Sequence, residues 1–342
     1  MRPVPTLIAI CSIFWAASIM TSIASARVAN ATLDLVGKTA VVVGGTSGIG
    51  RGIAMRLAQA SASVTIVGRS ASRGAEIVGE MEQAAAAAAS KSSGKASGSD
   101  DSSSSSSSPP PSFRFVECNC FLLQSVADTA AALLERPVDL LVLTQGMATT
   151  QGFTPTAEGL DQKLALHVWS RAAFAKALLP ALRKSADGRV LSVLSAGIHA
   201  AAPAWRADPE LKHGYGIKAA ADTAGFYNDI MVDSLAQAAP EVTFAHAAPG
   251  FVNTNWGTEM PTLIRWAVRC LQPLGRSAAD CGEYMVRGLM QATRGAGFHL
   301  LDQYGLALAG RATVVAGEHE AAREAVWSHI EKVVEAKASV QE

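Results

Sequence analysis

The sequence predicts one doubly wound α/β domain with a parallel sheet. Three observations carry this. Short runs of apolar, mostly β-branched residues recur along the chain, such as TAVVV, SVTIVG and VDLLVL, and strands buried on both faces read this way. Segments of helical spacing separate them, which is the alternation of βα units. A glycine-rich turn stands between the first such strand and the first such helix, where this architecture holds a ligand.

Taken in order, GKTAVVVGG (37–45) reads as a buried strand entering a turn, RGIAMRLAQA (51–60) as a helix and SVTIVGRS (63–70) as a second buried strand. EIVGEMEQ begins a helix. From about 84 to 112 the chain is alanine, serine, glycine, aspartate and proline, too poor in apolar side chains to offset its ordering entropy, so a disordered surface insertion is expected there. Order resumes with the strand FRFVECN, a helix near 124–135, the strand VDLLVLTQG and a long helix over 158–184. The strand GRVLSVLSA, a helix over 216–238, the strand VTFAHAAPG, helices near 261–271 and 277–292, the strand GFHLLD and a helix over 318–337 complete the alternation. No internal repeat appears, so residues 31–342 form one domain behind a leader of residues 1–30.

The chain has 342 residues, 49% apolar and 17% charged, with formal net charge zero. That supports a large core and, with no basic stripe, argues against a nucleic-acid partner. Five cysteines (Cys11, Cys118, Cys120, Cys270, Cys281) are scattered and odd in number, so they do not form a disulfide framework. Cys118 and Cys120 point to one face of a strand and read as buried thiols; no metal site is expected. Residues 4–26 carry no charge, with Arg2 and Arg27 as flanks. This run is long enough to cross a bilayer. It ends in Ala24-Ser25-Ala26, a signal-peptidase pattern. An uncleaved anchor, a cleaved signal and an apolar helix packed on the domain all fit. Asn30-Ala31-Thr32 is a glycosylation sequon that would matter only in a lumenal chain.

The turn Gly44-Gly45-Thr46-Ser47-Gly48-Ile49-Gly50 is suited to a dinucleotide pyrophosphate. Its glycines allow close backbone approach, and the following helix offers unpaired N–H groups and a positive dipole end. The spacing Gly-x-x-x-Gly-Ile-Gly resembles the fingerprint of the short-chain dehydrogenase/reductase family, with Val43 where that family has threonine. The resemblance runs across about 33–305, apart from the serine-rich insertion, and implies a Rossmann-type fold binding NADP(H) or NAD(H). Arg69 falls where the adenosine ribose would lie. An acidic residue there would favour NAD, whereas arginine can pair with a 2′-phosphate. With Ser70 and Arg51 beside it, NADP(H) is expected over NAD(H). Asn119 stands where the family often has an aspartate facing adenine. Gly146 is what remains of the family's Asn-Asn-Ala-Gly, here Leu143-Thr144-Gln145-Gly146. Pro249-Gly250-Phe251-Val252-Asn253-Thr254 matches its Pro-Gly-x-Val-x-Thr loop, so Pro249, Gly250, Val252 and Thr254 are expected around the nicotinamide carboxamide and a phosphate.

The resemblance also implies a proton-transfer set: a serine on the substrate oxygen, a tyrosine that gives or takes the proton, a lysine that lowers the tyrosine's pKa and binds ribose, and an asparagine that supports a water relay. GRVLSVLSAG puts Ser195 at the serine position. TAEGLDQKLALHVWSR puts His167 where the asparagine belongs; it could hold a water or a proton, or be a half-buried residue satisfied by backbone. HGYGIKAAA (213–221) offers Tyr215 and Lys218, three apart rather than the family's four. A first turn wound as 3₁₀ would stack them. The resemblance therefore implies a carbonyl–secondary alcohol oxidoreductase, with an apolar small molecule suggested by Trp256, Met260, Leu263, Ile264 and Trp266. The departures from the family pattern favour the alternative of a nucleotide-binding sensor or scaffold without catalysis. Homo-oligomers built on the long helices are common in the family. Residues 4–26 suggest membrane association of the endoplasmic-reticulum type with the domain facing the cytosol; a cytoplasmic or secretory-pathway chain is the alternative.

Overall fold

The computed structural model describes residues 21–93, 109–200, 203–254, 260, 262–294, 297–308 and 316–338. Seven parallel strands, β1 (Thr39–Val43), β2 (Ser63–Gly68), β3 (Phe113–Glu117), β4 (Leu140–Leu143), β5 (Arg189–Val193), β6 (Thr243–Ala247) and β7 (Phe298–Leu301), lie in the order β3-β2-β1-β4-β5-β6-β7. Strand order reverses between β1 and β4, which opens a crevice at their carboxyl ends. Both faces of the sheet are covered. Val41 and Val43 point into a core shared with α4 (Leu123–Leu133), α5 (Ser170–Lys184), α6 (Ile217–Ala238) and α9 (Ala316–Ala338). Ala40 and Val42, one residue out of phase, face α1 (Ile23–Ala31), α2 (Gly48–Gln59), α3 (Ala71–Ser93) and α8 (Ala278–Gln291). Period-two alternation with apolar residues on both sides explains why these strands read as unbroken hydrophobic runs.

One segment departs from the sequence expectation, and another meets one of the alternatives that the sequence leaves open. Helix α3 continues through the alanine run to Ser93, because alanine has the highest helix propensity and needs no packing partner to favour the helix. The disordered insertion expected over 84–112 thus begins no earlier than residue 94; residues 94–108 lie outside the described residues, and Ser112 is already tied to Ser63, its N–H donating to Ser63 Oγ at 3.1 Å. The end of the leader is a docked helix. Arg27 pairs with Asp280 at 2.8 Å, and the Asn30 side-chain amide donates to the carbonyl and carboxylate of Glu283 at 2.8 and 2.6 Å. Tyr284 donates its hydroxyl proton to the Thr21 carbonyl at 2.8 Å. Ala24-Ser25-Ala26 lies within α1, with Ala26 fully buried. Residues 4–20 lie outside the described residues, and among those described no helix is long and apolar enough to cross a membrane.

Candidate functional site

The glycine turn sits at the strand-order reversal, and its glycines are there for want of space. A Cβ on Gly50 would lie 2.4 Å from the Gly44 carbonyl oxygen and from Thr144 Oγ1, and one on Gly44 would lie 2.7 Å from the Gln145 nitrogen. Gly44 and Gly48 adopt φ of +82° and +52°, open to glycine at little cost. Ser47 precedes α2 in extended conformation and makes no side-chain cap. The first N–H groups of α2 therefore remain for an outside acceptor, which phosphate satisfies. Thr254, from the Pro-Gly loop, closes the other side: its Cγ2 would be 3.2 Å from a Cβ on Gly48. The turn and the loop, about two hundred residues apart in sequence, thus form one concave backbone surface fit for a dinucleotide.

On the adenosine side, the Arg69 guanidinium stacks 5.0 Å from the Phe121 ring centroid. Arg51 is taken by Glu80 at 2.7 Å, and Ser70 Oγ lies 3.2 Å from Ser72 Oγ, so of the three groups expected to favour NADP only Arg69 has neither an anionic partner nor a hydroxyl neighbour among the described residues. Asn119 is exposed, its Oδ1 accepting from the Phe121 N–H at 3.3 Å. The neighbouring thiols of Cys118 and Cys120 are buried, 3.8 Å apart.

The expected proton-transfer set is not assembled. Helix α6 begins at Ile217 behind Gly216, which is extended with φ −155°, so Tyr215 precedes the helix and no 3₁₀ turn stacks it on Lys218. Its hydroxyl lies 3.3 Å from Asp161 Oδ1, the carboxylate that caps the Gln162–Leu164 turn by accepting from Lys163 and Leu164. Burial, and then Asp161, push the Tyr215 phenol above its usual range, opposite to what a proton-transfer tyrosine needs. Lys218 is 81% exposed and pairs with Asp222 one turn on. The side of α6 that meets Ser195 is Gly225: a Cβ there would lie 2.5 Å from both Ser195 Oγ and the His199 ring.

His167 belongs to a π-helical turn, Ala165–Trp169, at the entry to α5. Its Nε2 accepts the Met147 N–H at 3.0 Å, an approach left open by Gly146, whose Cβ would lie 2.7 Å from that nitrogen. Burial and then the Arg171 and Lys163 charges lower its pKa to about 3, so it is a neutral imidazole satisfied by backbone. The π turn frees backbone carbonyls, and Asn228 Nδ2 takes that of His167 at 2.7 Å.

Asn228 is one of several residues that sequence reasoning missed. Ser192 Oγ donates to its Oδ1 at 2.6 Å, and buried Arg171 reaches Ser192 Oγ and the carbonyls of Val193 and Gln145 at 2.7–2.9 Å. Desolvation lowers the Arg171 pKa to about 9. Asp229 accepts from His199 Nε2 at 2.8 Å and His246 Nδ1 at 2.6 Å, while His246 Nε2 accepts the Ser195 N–H at 3.1 Å. The signal for these was present: an Asn-Asp pair inside the apolar helix AGFYNDIMV, and a histidine inside the buried strand TFAHA. Among the described residues no cluster of three or more His, Cys, Asp or Glu is placed to hold a metal.

Comparison with known proteins agrees with this architecture. The family model for short chain dehydrogenases matches residues 38–96. An oxidoreductase of Emericella nidulans is 30% identical over 241 residues, covering 69% of this chain. The chain belongs to the short-chain dehydrogenase/reductase family. It spans 65% of the length of that relative, and about half of two further oxidoreductases that it matches. Among solved structures, an alcohol dehydrogenase from the archaeon Thermococcus sibiricus complexed with 5-hydroxy-NADP has a TM-score of 0.54 at 19% identity, covering 78% of this chain and 95% of its own. A short-chain dehydrogenase/reductase of Serratia marcescens has a TM-score of 0.56 at 18% identity, covering 79% and 98%. At these identities the structures show the fold that this family member shares.

Proposed function

We propose that the chain is an NADP(H)-dependent oxidoreductase that interconverts a carbonyl and a secondary alcohol on an apolar small molecule. The observation that carries this reading is the cradle at the strand-order reversal, where a Cβ on Gly44 or Gly50 would strike backbone, Gly48 takes a positive φ and Thr254 closes the far side. Gly44, Thr46, Ser47, Gly48, Ile49 and Gly50 would hold the pyrophosphate, Arg69 the 2′-phosphate, Asn119 the adenine, and Gly146, Pro249, Gly250, Val252 and Thr254 the nicotinamide end. When bound, the cofactor supplies or accepts the hydride. The chain's own part is to hold a substrate oxygen at Ser195, whose Oγ is buried and has no partner; an unpaired buried hydroxyl of this kind is costly unless a ligand completes it.

A second reading is favoured by one observation: Tyr215 and Lys218 are bound to Asp161 and Asp222 instead of to each other. On that reading the chain binds nucleotide as a sensor or scaffold. Fluorescence titration with NADPH and NADH, followed by single-turnover oxidation of bound NADPH against apolar ketones and aldehydes, separates the two. Tight NADPH binding with turnover is expected. Binding without turnover on any carbonyl would leave the scaffold, and no binding would sink both. Arg69→Ala is expected to bring the NADPH and NADH affinities together.

The same reading places the protein at a membrane surface facing the cytosol. Supporting it are the uncharged residues 4–26 and the helix α7 (Thr262–Leu271), which leaves Leu263 and Trp266 79% and 68% exposed beside Arg265 and Arg269. Flotation of the full chain with anionic vesicles tests this; a chain that stays at the bottom of the gradient refutes it.

A further inference from the structure

The buried histidine–carboxylate cluster behind Ser195 has a protonation state that its hydrogen bonds decide. His246 Nε2 accepts the Ser195 N–H, so its proton is on Nδ1 and goes to Asp229. His246 is therefore neutral, and burial holds it there by lowering its pKa against the pull of Asp229. Both nitrogens of His199 face acceptors only: Nε2 the Asp229 carboxylate at 2.8 Å, and Nδ1 the Ala200 carbonyl at 3.2 Å. A neutral imidazole has one proton and satisfies one of these; the imidazolium satisfies both. Charge balance agrees. The Asp229 side chain is wholly buried, and a buried carboxylate is costly without a counter-charge. Arg171, the other buried cation on this side, is bonded to carbonyls and a hydroxyl rather than to a carboxylate.

The His199 ring is a neighbour of the Ser195 side chain. A Cβ at Gly225 would touch Ser195 Oγ and His199 Cδ2 at the same 2.5 Å, so the absence of a side chain at 225 lets the two lie side by side against α6. We propose that His199 is the fixed cation of this site, an imidazolium held on Asp229 beside Ser195, where it favours negative charge on the oxygen that Ser195 binds. This is the electrostatic part assigned to Lys218 by family resemblance, moved from α6 to the loop after β5. The proposal rests on Ser195 meeting the substrate oxygen. His199 acts through Ser195 and is a positioning residue.

The groups facing His199 are Asp229 and Asp222 from α6, His246 from β6 and, beyond it, Arg171 from α5. Asp222 Oδ1 accepts the Ala200 N–H at 3.1 Å and its other oxygen is paired with Lys218. Burial works against the His199 charge, but the Asp229 hydrogen bond and charge outweigh it, and the net direction is upward from the ordinary histidine value.

The first test is imidazole nitrogen NMR of the full wild-type chain at neutral pH. His199 protonated on both nitrogens and His246 on Nδ1 alone is the expected pattern; a neutral His199 overturns the proposal. The second replaces the hydroxyl by a titratable group. Ser195→Cys is compared with Ser195→Cys/His199→Gln, where glutamine can still donate to Asp229 but carries no charge. Thiolate absorbance, read as a difference from the same backgrounds with Ser195 intact, is expected to show the thiol roughly tenfold more acidic with His199 present. Equal titration of the two thiols overturns the proposal, and if the double variant does not fold the NMR result decides. NADPH binding by the wild-type chain, measured in parallel, would overturn the proposed function if absent, while the His199 result would stand or fall by itself.

Discussion

The cradle after β1 and the side-chain cluster between β5 and α6 are built on different principles. The first is made of backbone: glycines whose missing Cβ atoms leave room for a ligand, and helix N–H groups without a cap. The second is made of side chains whose meaning depends on partners from several elements, Ser195 and His199 on a loop, Asp229 on α6 and His246 on β6. A backbone site is specified by where side chains are absent, and a glycine pattern states that directly. A side-chain site is specified by which elements bring its members together, and Tyr215, lying outside α6, has its hydroxyl on Asp161.

Five substitutions would break or sharpen this contrast. Asp229→Asn should have the largest effect, because it leaves the buried His199 without its counter-charge; about 3–5 kcal/mol of stability should go, read by urea unfolding, and a loss under about 1 kcal/mol would mean the cluster is not ionic. Gly50→Ala attacks the backbone site. Its methyl group meets the Gly44 carbonyl, so about 1–3 kcal/mol of stability and most NADPH affinity should be lost; unchanged binding would dismiss the cradle. His167→Gln probes acid sensitivity. With a folded pKa near 3 against about 6.5 unfolded, the neutral buried ring makes the wild type lose stability as pH falls through that window, by up to ~1.4 kcal/mol per unit. The variant should show a flatter profile, and an identical slope would assign it to other groups. Tyr215→Phe and Lys218→Met should do least. One removes a 3.3 Å hydrogen bond and the other an exposed ion pair, each worth about 1 kcal/mol or less. Abolished turnover in either would restore the tyrosine–lysine pair as the proton-transfer group.

Much of the fold was legible because buried parallel strands must be apolar on both faces, as TAVVV and SVTIVG are. The cradle was legible because Gly44 and Gly50 stand where a Cβ would strike neighbouring atoms and Gly48 takes a positive φ. The alanine run was misjudged: low complexity was read as disorder, yet alanine favours helix, and α3 extends to Ser93. The sequence expectation puts Tyr215 and Lys218 on one first helical turn, but α6 begins only at Ile217, behind an extended Gly216, and leaves Tyr215 outside the helix. Asn228, Asp229 and His246 sat in plain view within apolar elements. Which of them bond to one another follows only from bringing α5, β5, α6 and β6 together, and no spacing within one segment encodes that.

One detail of the docked leader bears on how the chain's sidedness can be measured. Asn30 is 2% exposed, and its amide nitrogen is spent on Glu283. That nitrogen is the atom to which an oligosaccharide would be joined, and in the folded protein it is buried and both its N–H groups are engaged by Glu283. A glycan could be attached only before α1 docks on α8, and once attached would keep the helix from seating. A gel without a mobility shift on glycosidase treatment is therefore silent about which compartment the domain occupies. A sequon engineered into an exposed loop would be needed to make the compartment speak.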